Sequence, residues 1–238
     1  MGMLICGIDF EATSVEPKEA RIIEIGAALW STELQTPVAL LSVFVDPLVE
    51  IPEEITKVTG ITNEMVQEYG ETEASAISKL EKLIDAAGCC MAHNGTQYDV
   101  PLWRTTLARY EKQDNTTLWI DSRTDIVFDD LITTRNLKYL AAEMGFTNPF
   151  PHRAVFDVLT MFRIASKFDW DAIIARAKEP TVYVQAVVSF DEKEKAKELR
   201  FQWFAPQKIW WKPMKVSDLE AMKSTCGFQT RLLAGPLE

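Results

Sequence analysis

Leu4-Ile5-Cys6-Gly7-Ile8-Asp9-Phe10-Glu11 carries no charge until its last three residues. An apolar run of this length reads as a buried strand. Asp9 and Glu11 stand two residues apart at its end, and residues i and i+2 of a strand share one face. Both carboxylates are therefore expected to crowd one spot, before Ala12-Thr13-Ser14 breaks the run. Two such carboxylates repel, and burying them without a counter-charge is costly. A divalent cation that prefers oxygen ligands, magnesium or manganese, relieves both problems. Taken alone, the stretch also allows Asp9 to open a turn and Glu11 to be a solvated loop residue.

The 238 residues suit one large domain, or one domain with a small companion. No apolar run reaches the ~18 residues of a membrane span, and no basic-then-apolar leader opens the chain. A soluble, cytoplasmic protein with no membrane partner is expected. Cys6, Cys89, Cys90 and Cys226 lack metal-ligand spacing, so neither a disulfide framework nor a zinc site is expected. The net charge of −10 is uneven. Residues 1–179 hold 16 Lys+Arg against 28 Asp+Glu, a balance of −12, whereas residues 180–238 hold 9 against 7, a balance of +2. An acidic main part fits clustered carboxylates around bound cations, and any grip on a polyanion must be local.

Strands are expected at Arg21–Trp30 and Pro37–Asp46, the second an antiparallel neighbour of the first. A short helix follows over 51–56 with Pro52 in its first turn, stopped by Gly60, and Thr62 caps a further piece from Asn63 to Tyr69. Ala76, Ile77, Leu80, Leu83 and Ile84 give Thr72–Ala87 helical spacing. Cys89–Ala92 reads as a short buried strand running into the His93-Asn94-Gly95 loop. A helix from Gln97 to Tyr110 and a strand at Leu118–Ile120 ending at Asp121 come next. Helices at Leu137–Met144, Arg153–Lys167 and Trp170–Ala177 complete an α/β pattern with a mixed sheet flanked by helices. A boundary near Glu179-Pro180 divides a main domain, 1–179, from a small α+β module, 180–238, close to the lower size limit for an independent core. In that module a strand is expected over 182–190, a charged helix over 191–199 capped by Asp191, two aromatic strands near 201–204 and 208–212, a helix from Ser217, and a last strand near 228–233.

Three separated stretches place acids where strands end or helices begin: Asp9 with Glu11, then Asp99, then Asp157 within His152-Arg153-Ala154-Val155-Phe156-Asp157. Sites of open α/β sheets gather at the carboxyl ends of strands. Four carboxylates meeting there suit two divalent ions ~3.5–4 Å apart, a recurring device for displacement at phosphorus.

These stretches resemble the motifs of DEDDh-type three-prime exonucleases of the DnaQ-like superfamily, which have an RNase H-like fold. Asp9-Phe10-Glu11-Ala12-Thr13 is similar to the first motif, Ala92-His93-Asn94-Gly95-Thr96-Gln97-Tyr98-Asp99 to the second, and His152-x-Ala154-x-x-Asp157 to the third. Val58-Thr59-Gly60-Ile61-Thr62 is similar to the family's T-G-I-T segment, and the resemblance covers about residues 3–168. It implies that Asp9, Glu11 and Asp157 hold a catalytic Mg2+ or Mn2+, and that Asp9 and Asp99 serve a second. His152 would be the general base, work that suits an imidazole with an unperturbed pKa of ~6.5. Arg153 stands where the sister subclass has Tyr, so the histidine subclass is implied.

The resemblance also implies substrate contacts along the first motif, Phe10, Ala12 and Thr13, with the backbone at Ala12 meeting the terminal 3′-hydroxyl. Val15 and Val58 would wedge the last base, and Asn94 and Tyr98 would position the strand end. The spacing of Asn94 and Asp99 looks like that of TREX-type enzymes. Ala12 lacks the hydroxyl many proofreaders carry, and Ser14 stands where Gly usually follows Thr. His93 is expected to support the strand end structurally. The implied partner is a nucleic acid with a free 3′ end, single-stranded or frayed DNA first and RNA second. A non-catalytic binding subunit of a repair or replication complex is the rival reading. Nothing in the sequence fixes the oligomeric state, and a homodimer is open.

In the small module Trp203, Phe204, Trp210 and Trp211 are interleaved with Arg200, Lys208, Lys212 and Lys215. At least half of these aromatics are expected in its core. Aromatics beside cations also suit stacked bases and phosphates, so a nucleic-acid-holding role stands beside the packing role.

Overall fold

A computed structural model describes residues 2–129 and 131–237. Strands β1 (Leu4–Ala12), β2 (Ile22–Ser31) and β3 (Thr36–Phe44) form an antiparallel meander. Helices α1 (Glu53–Thr59), α2 (Asn63–Tyr69) and α3 (Glu73–Asp85) follow. Gly60 ends α1 in the left-handed conformation, φ 72°, and the Thr62 hydroxyl accepts from the Met65 N–H to cap α2. Pro52 precedes the first turn of α1 rather than lying inside it. Strand β4 (Cys89–Ala92), helix α4 (Asp99–Arg109) and strand β5 (Trp119–Asp121) then extend the sheet, and α5 (Leu137–Glu143), α6 (Ala154–Ala165) and α7 (Trp170–Lys178) come last. The sheet order is β3-β2-β1-β4-β5, with β4 parallel to β1 and β5 parallel to β4. This is a mixed α/β sheet flanked by helices.

The period-two alternation of β1 sorts its side chains between two cores. Cys6, Ile8, Phe10 and Ala12 pack with Ala76, Ile77 and Leu80 of α3 and with Leu102, Trp103 and Leu107 of α4. Ile5 lies on the other side, with Val158, Met161 and Phe162 of α6. Two glycines let α6 approach. A Cβ on Gly7 would sit 2.3 Å from the Phe162 ring, and one on Gly26 would sit 2.2 Å from the backbone at Ala154 and Val155. Bare backbone on β1 and β2 thus seats the start of α6 against the sheet, which fixes where Asp157 can be.

The first strand does not break at Ala12. It runs through that residue with a register shift between Glu11 and Ala12, and only then turns. Such an irregularity bends a strand and re-aims its side chains. All four cysteines are buried. Among the described residues no helix is long and apolar enough to cross a membrane.

The chain divides into two compact units, Met1–Ala177 and Lys178–Glu238. The second is an antiparallel sheet, order β7-β8-β6-β9, of β6 (Thr181–Val187), β7 (Gln202–Phe204), β8 (Ile209–Lys215) and β9 (Gln229–Leu233) with helices α8 (Lys193–Glu198) and α9 (Val216–Lys223). Two details differ from the sequence expectation. Strand β6 stops at Val187, and the helix starts at Lys193 with Glu192, not Asp191, in the capping position and no side-chain cap. A turn intervenes, closed by the Glu192 N–H on the Ser189 carbonyl and the Ser189 hydroxyl on the Glu192 carboxylate. The aromatics are also not core. Val184, Ala186, Ala196, Phe201, Met214 and Leu219 fill the interior, while Trp203 is exposed and Phe204, Trp210 and Trp211 are only part-buried. Phe201, Met214 and smaller apolar side chains fill this thin interior; Trp210 packs against its edge and Trp203 stays in water.

Candidate active site

Asp9 and Glu11 follow Ile5 and Gly7 onto the α6 face of β1, at the carboxyl end of the strand. Across from Glu11 in the β1–β2 register lies Glu24, buried at 1% exposure. The start of α6 supplies Asp157, whose two oxygens accept from the His152 backbone N–H at 2.8 Å and the Asn148 amide at 2.7 Å. His152 lies in the left-handed region, φ 62°, with an exposed ring. That turn brings ring and backbone to the same carboxylate: Glu11, His152 and Asp157 each offer an atom within 4.8 Å of the other two. Asp99 opens α4 and accepts the Phe10 N–H at 3.2 Å, tying it to β1 between Asp9 and Glu11.

The electrostatics follow from so many acids in one place. Burial, then Asp99, Glu11, Asp157 and Glu24 in turn, hold the Asp9 carboxyl well above its usual range. Burial, then Asp157, Glu24 and Asp99, push Glu11 up to about 8, with Arg153 opposing. Asp99 is raised to about 7 by burial, against the hydrogen bond from Phe10. Asp157 is raised to about 6 by burial, against the His152 N–H, the His152 charge and Asn148. One guanidinium answers this surplus: Arg153 grips Glu24 through Nε at 3.2 Å and Nη2 at 3.0 Å, and the Ala154 N–H adds 3.1 Å. An excess of hard oxygen donors over cations, with an imidazole at its edge, fits divalent magnesium or manganese.

The predicted substrate residues are placed unevenly. Val15 is 83% exposed on the loop after β1, and Val58 is 57% exposed on α1. The Tyr98 hydroxyl bonds to the Ser14 carbonyl, tethering that loop to the start of α4. Asn94 is left-handed, φ 63°; its N–H donates to Asp121 and its side-chain oxygen accepts from Arg123. Three residues turn inward. The Phe10 ring stacks on Trp103 at 6.0 Å, the Ala12 methyl is in the core, and the buried Thr13 hydroxyl accepts the Arg21 N–H at 3.0 Å. What Phe10 gives the site is its backbone. His93 is structural, as expected: its Nε2 donates to the Arg135 carbonyl, so Nδ1 accepts from the Ser122 hydroxyl and burial keeps the ring neutral.

Sequence reading missed Glu24, Asn148 and Asp121. Glu24 was detectable as the one charge within the apolar run Ile22–Ser31 that became β2. Buried Asp121 organises the second motif by accepting from the Asn94, Thr96 and Arg123 N–H groups and the Thr96 hydroxyl.

A mixed sheet in this order, with acids gathered at the end of β1 and under the first turn of a helix crossing it, is the arrangement of RNase H-like nucleases. Residues 6–165 match the exonuclease (RNase_T) family model, and the chain belongs to that family. A DNA polymerase III of PolC type from Ureaplasma parvum serovar 3 is 25% identical over 158 residues, 64% of this chain. The chain spans about a tenth of that relative's length. Among solved structures, a zinc-bound E. coli exonuclease I–single-stranded DNA complex superposes with a TM-score of 0.60 at 18% identity, over 69% of this chain and 40% of that one. The nuclease domain of 3′hExo, a DEDDh family member bound to rAMP, gives 0.59 at 21% identity, over 69% and 90%. These likenesses show the fold.

Proposed function

We propose that the chain is a 3′→5′ exonuclease that releases nucleoside 5′-monophosphates from single-stranded or frayed DNA. The observation that carries the reading is the convergence of Glu11, His152 and Asp157 within 4.8 Å, beside Asp9 and Asp99. Asp9, Glu11 and Asp157 would hold one divalent ion, and Asp9 with Asp99 a second. Such ions, when bound, supply Lewis acidity at the attacking water and charge stabilisation at the leaving oxygen.

The chain's own groups do the rest. The exposed His152 imidazole takes a proton from water as its oxygen attacks the terminal phosphorus. The bond from phosphorus to the penultimate 3′-oxygen breaks, and that oxygen regains a proton from solvent. The hydrogen bonds from the His152 N–H and Asn148 hold the Asp157 carboxylate in place during this step. Exposed Val15 and Val58 meet the splayed terminal base, while Tyr98 and Asn94 hold the loops around it.

RNA is the alternative substrate, and one experiment separates the two. The purified chain is incubated with 5′-labelled single-stranded DNA, duplex DNA and RNA, with magnesium or with chelator. A ladder shortening from the 3′ end, fastest on single-stranded DNA and stopped by chelation or by Asp157→Ala, is expected. No cleavage with magnesium or manganese, or wild-type rates for Asp157→Ala, overturns the proposal.

A further inference from the structure

The second unit carries a cavity of about 540 Å3 remote in sequence from every catalytic motif, within the size range of small-molecule pockets. Its wall combines Phe190, Trp203 and Trp210 with Lys193, Lys197 and Lys208, and among the described residues no acid lines it. Trp203 and Trp210 face each other across the β7–β8 pair with ring centroids 5.4 Å apart and planes tilted by 54°. Trp210 packs one side against the small core and leaves the rest of its ring at the surface, and Trp203 and Phe190 stay 50% and 79% exposed. Large rings left in water at one spot mark a binding surface. The cations are already set against these rings: Lys193 Nζ lies 3.8 Å from the Phe190 centroid and Lys197 Nζ 6.0 Å from that of Trp210.

We propose that this cavity binds single-stranded nucleic acid, with an unstacked base against Trp203 and Trp210 and the flanking phosphates on Lys193, Lys197 and Lys208. Charge decides the occupant. The wall sets three lysines beside exposed rings with no acid among the described residues, so it offers phosphates a positive surface and bases a ring to stack on, a pairing that an acidic protein surface would use only in part. Lys197 is held by Glu194 at 2.8 Å, but both are half-exposed, and such a pair is weak enough to be exchanged for a phosphate. Flat rings beside cations recur in sequence-tolerant strand binding, because every base has a π-face. The inference takes from the proposed function only that a strand is the partner; it adds a grip separate from the cleavage site.

The test uses the whole 238-residue chain in chelator, where no turnover occurs, and a fluorescein-labelled oligothymidine followed by anisotropy across a salt series. Trp203→Ala should weaken binding on the order of tenfold, and Trp203→Phe should retain most of it. Replacing Lys193, Lys197 and Lys208 together by Gln should flatten the log–log salt slope by about 2, since each phosphate contact on a single strand contributes about 0.7. With magnesium, the p-nitrophenyl ester of thymidine 5′-monophosphate, which has no strand for the cavity to hold, should be cleaved equally by wild type and all three variants. Unchanged affinity and slope in the variants overturns the inference and leaves the nuclease reading intact. So does a dimer that Trp203→Ala dissociates, since the patch would then be a self-contact. Cavity-dependent binding by a chain that cleaves nothing supports the inference and refutes the nuclease reading.

Discussion

Glu11→Gln removes one charge from the acidic cluster with almost no change of shape, and its effect on the metal-free protein should depend steeply on pH. Glu11 and Asp157 offer atoms within 4.8 Å of each other. Two unit charges at that distance repel by about 3.5 kcal/mol at an effective dielectric of ~20, and by about 1 kcal/mol if fully screened by water. Glu11 is part-exposed, so the repulsion relieved lies at roughly 1–3 kcal/mol. The sign follows from the protonation states. The carboxyl ionises near its ordinary 4.5 in the unfolded chain and near 8 in the folded one. Between these values the folded chain retains a proton that the unfolded chain has lost, so rising pH penalises the fold. Above about 8 the penalty is complete, and near 4.5 it is absent. Without metal, Glu11→Gln should therefore raise the melting temperature by roughly 2–12 °C at pH 9 and by almost nothing at pH 5. Magnesium should reverse the order at pH 9, because the wild type gains ligand-linked stability that the variant forfeits. Thermal unfolding of both proteins at the two pH values, in chelator and in magnesium, measures all of this. A variant less stable than wild type at pH 9 in chelator, or equally stabilised at both pH values, refutes the electrostatic account.

His152→Ala should lower the exonuclease rate by roughly 10²–10⁴ at neutral pH, the usual loss for a general base, as measured by single-turnover digestion of labelled oligonucleotide. Arg153→Met leaves Glu24 buried and unpaired among four other carboxylates, which should cost about 3–5 kcal/mol in urea unfolding. Gly26→Ala should cost about 1–3 kcal/mol and depress activity together, because its methyl would meet the backbone at Ala154 and Val155, which carries His152 and Asp157 into place; wild-type activity in this variant would contradict that coupling.

By itself the sequence determined what is written at short range. Strand β1 announces itself by its unbroken apolar run, and the i, i+2 rule then made the shared face of Asp9 and Glu11 legible, as were the helices with 3.6-residue periodicity and the Thr62 and Gly60 boundaries. The same locality made the three acidic motifs readable, since each keeps its chemistry within a few residues. Tertiary structure alone decided the pairings between them. Glu24 meets Arg153 across 129 positions, Asp121 clamps the Asn94 loop from 27 positions away, and Gly26 matters only because α6 crosses it. It also decided that Phe10, Ala12 and Thr13 turn inward while Trp203 stays in water. Backbone geometry fixes a residue's direction relative to its neighbours in the chain, whereas what it faces depends on which distant element packing brings there.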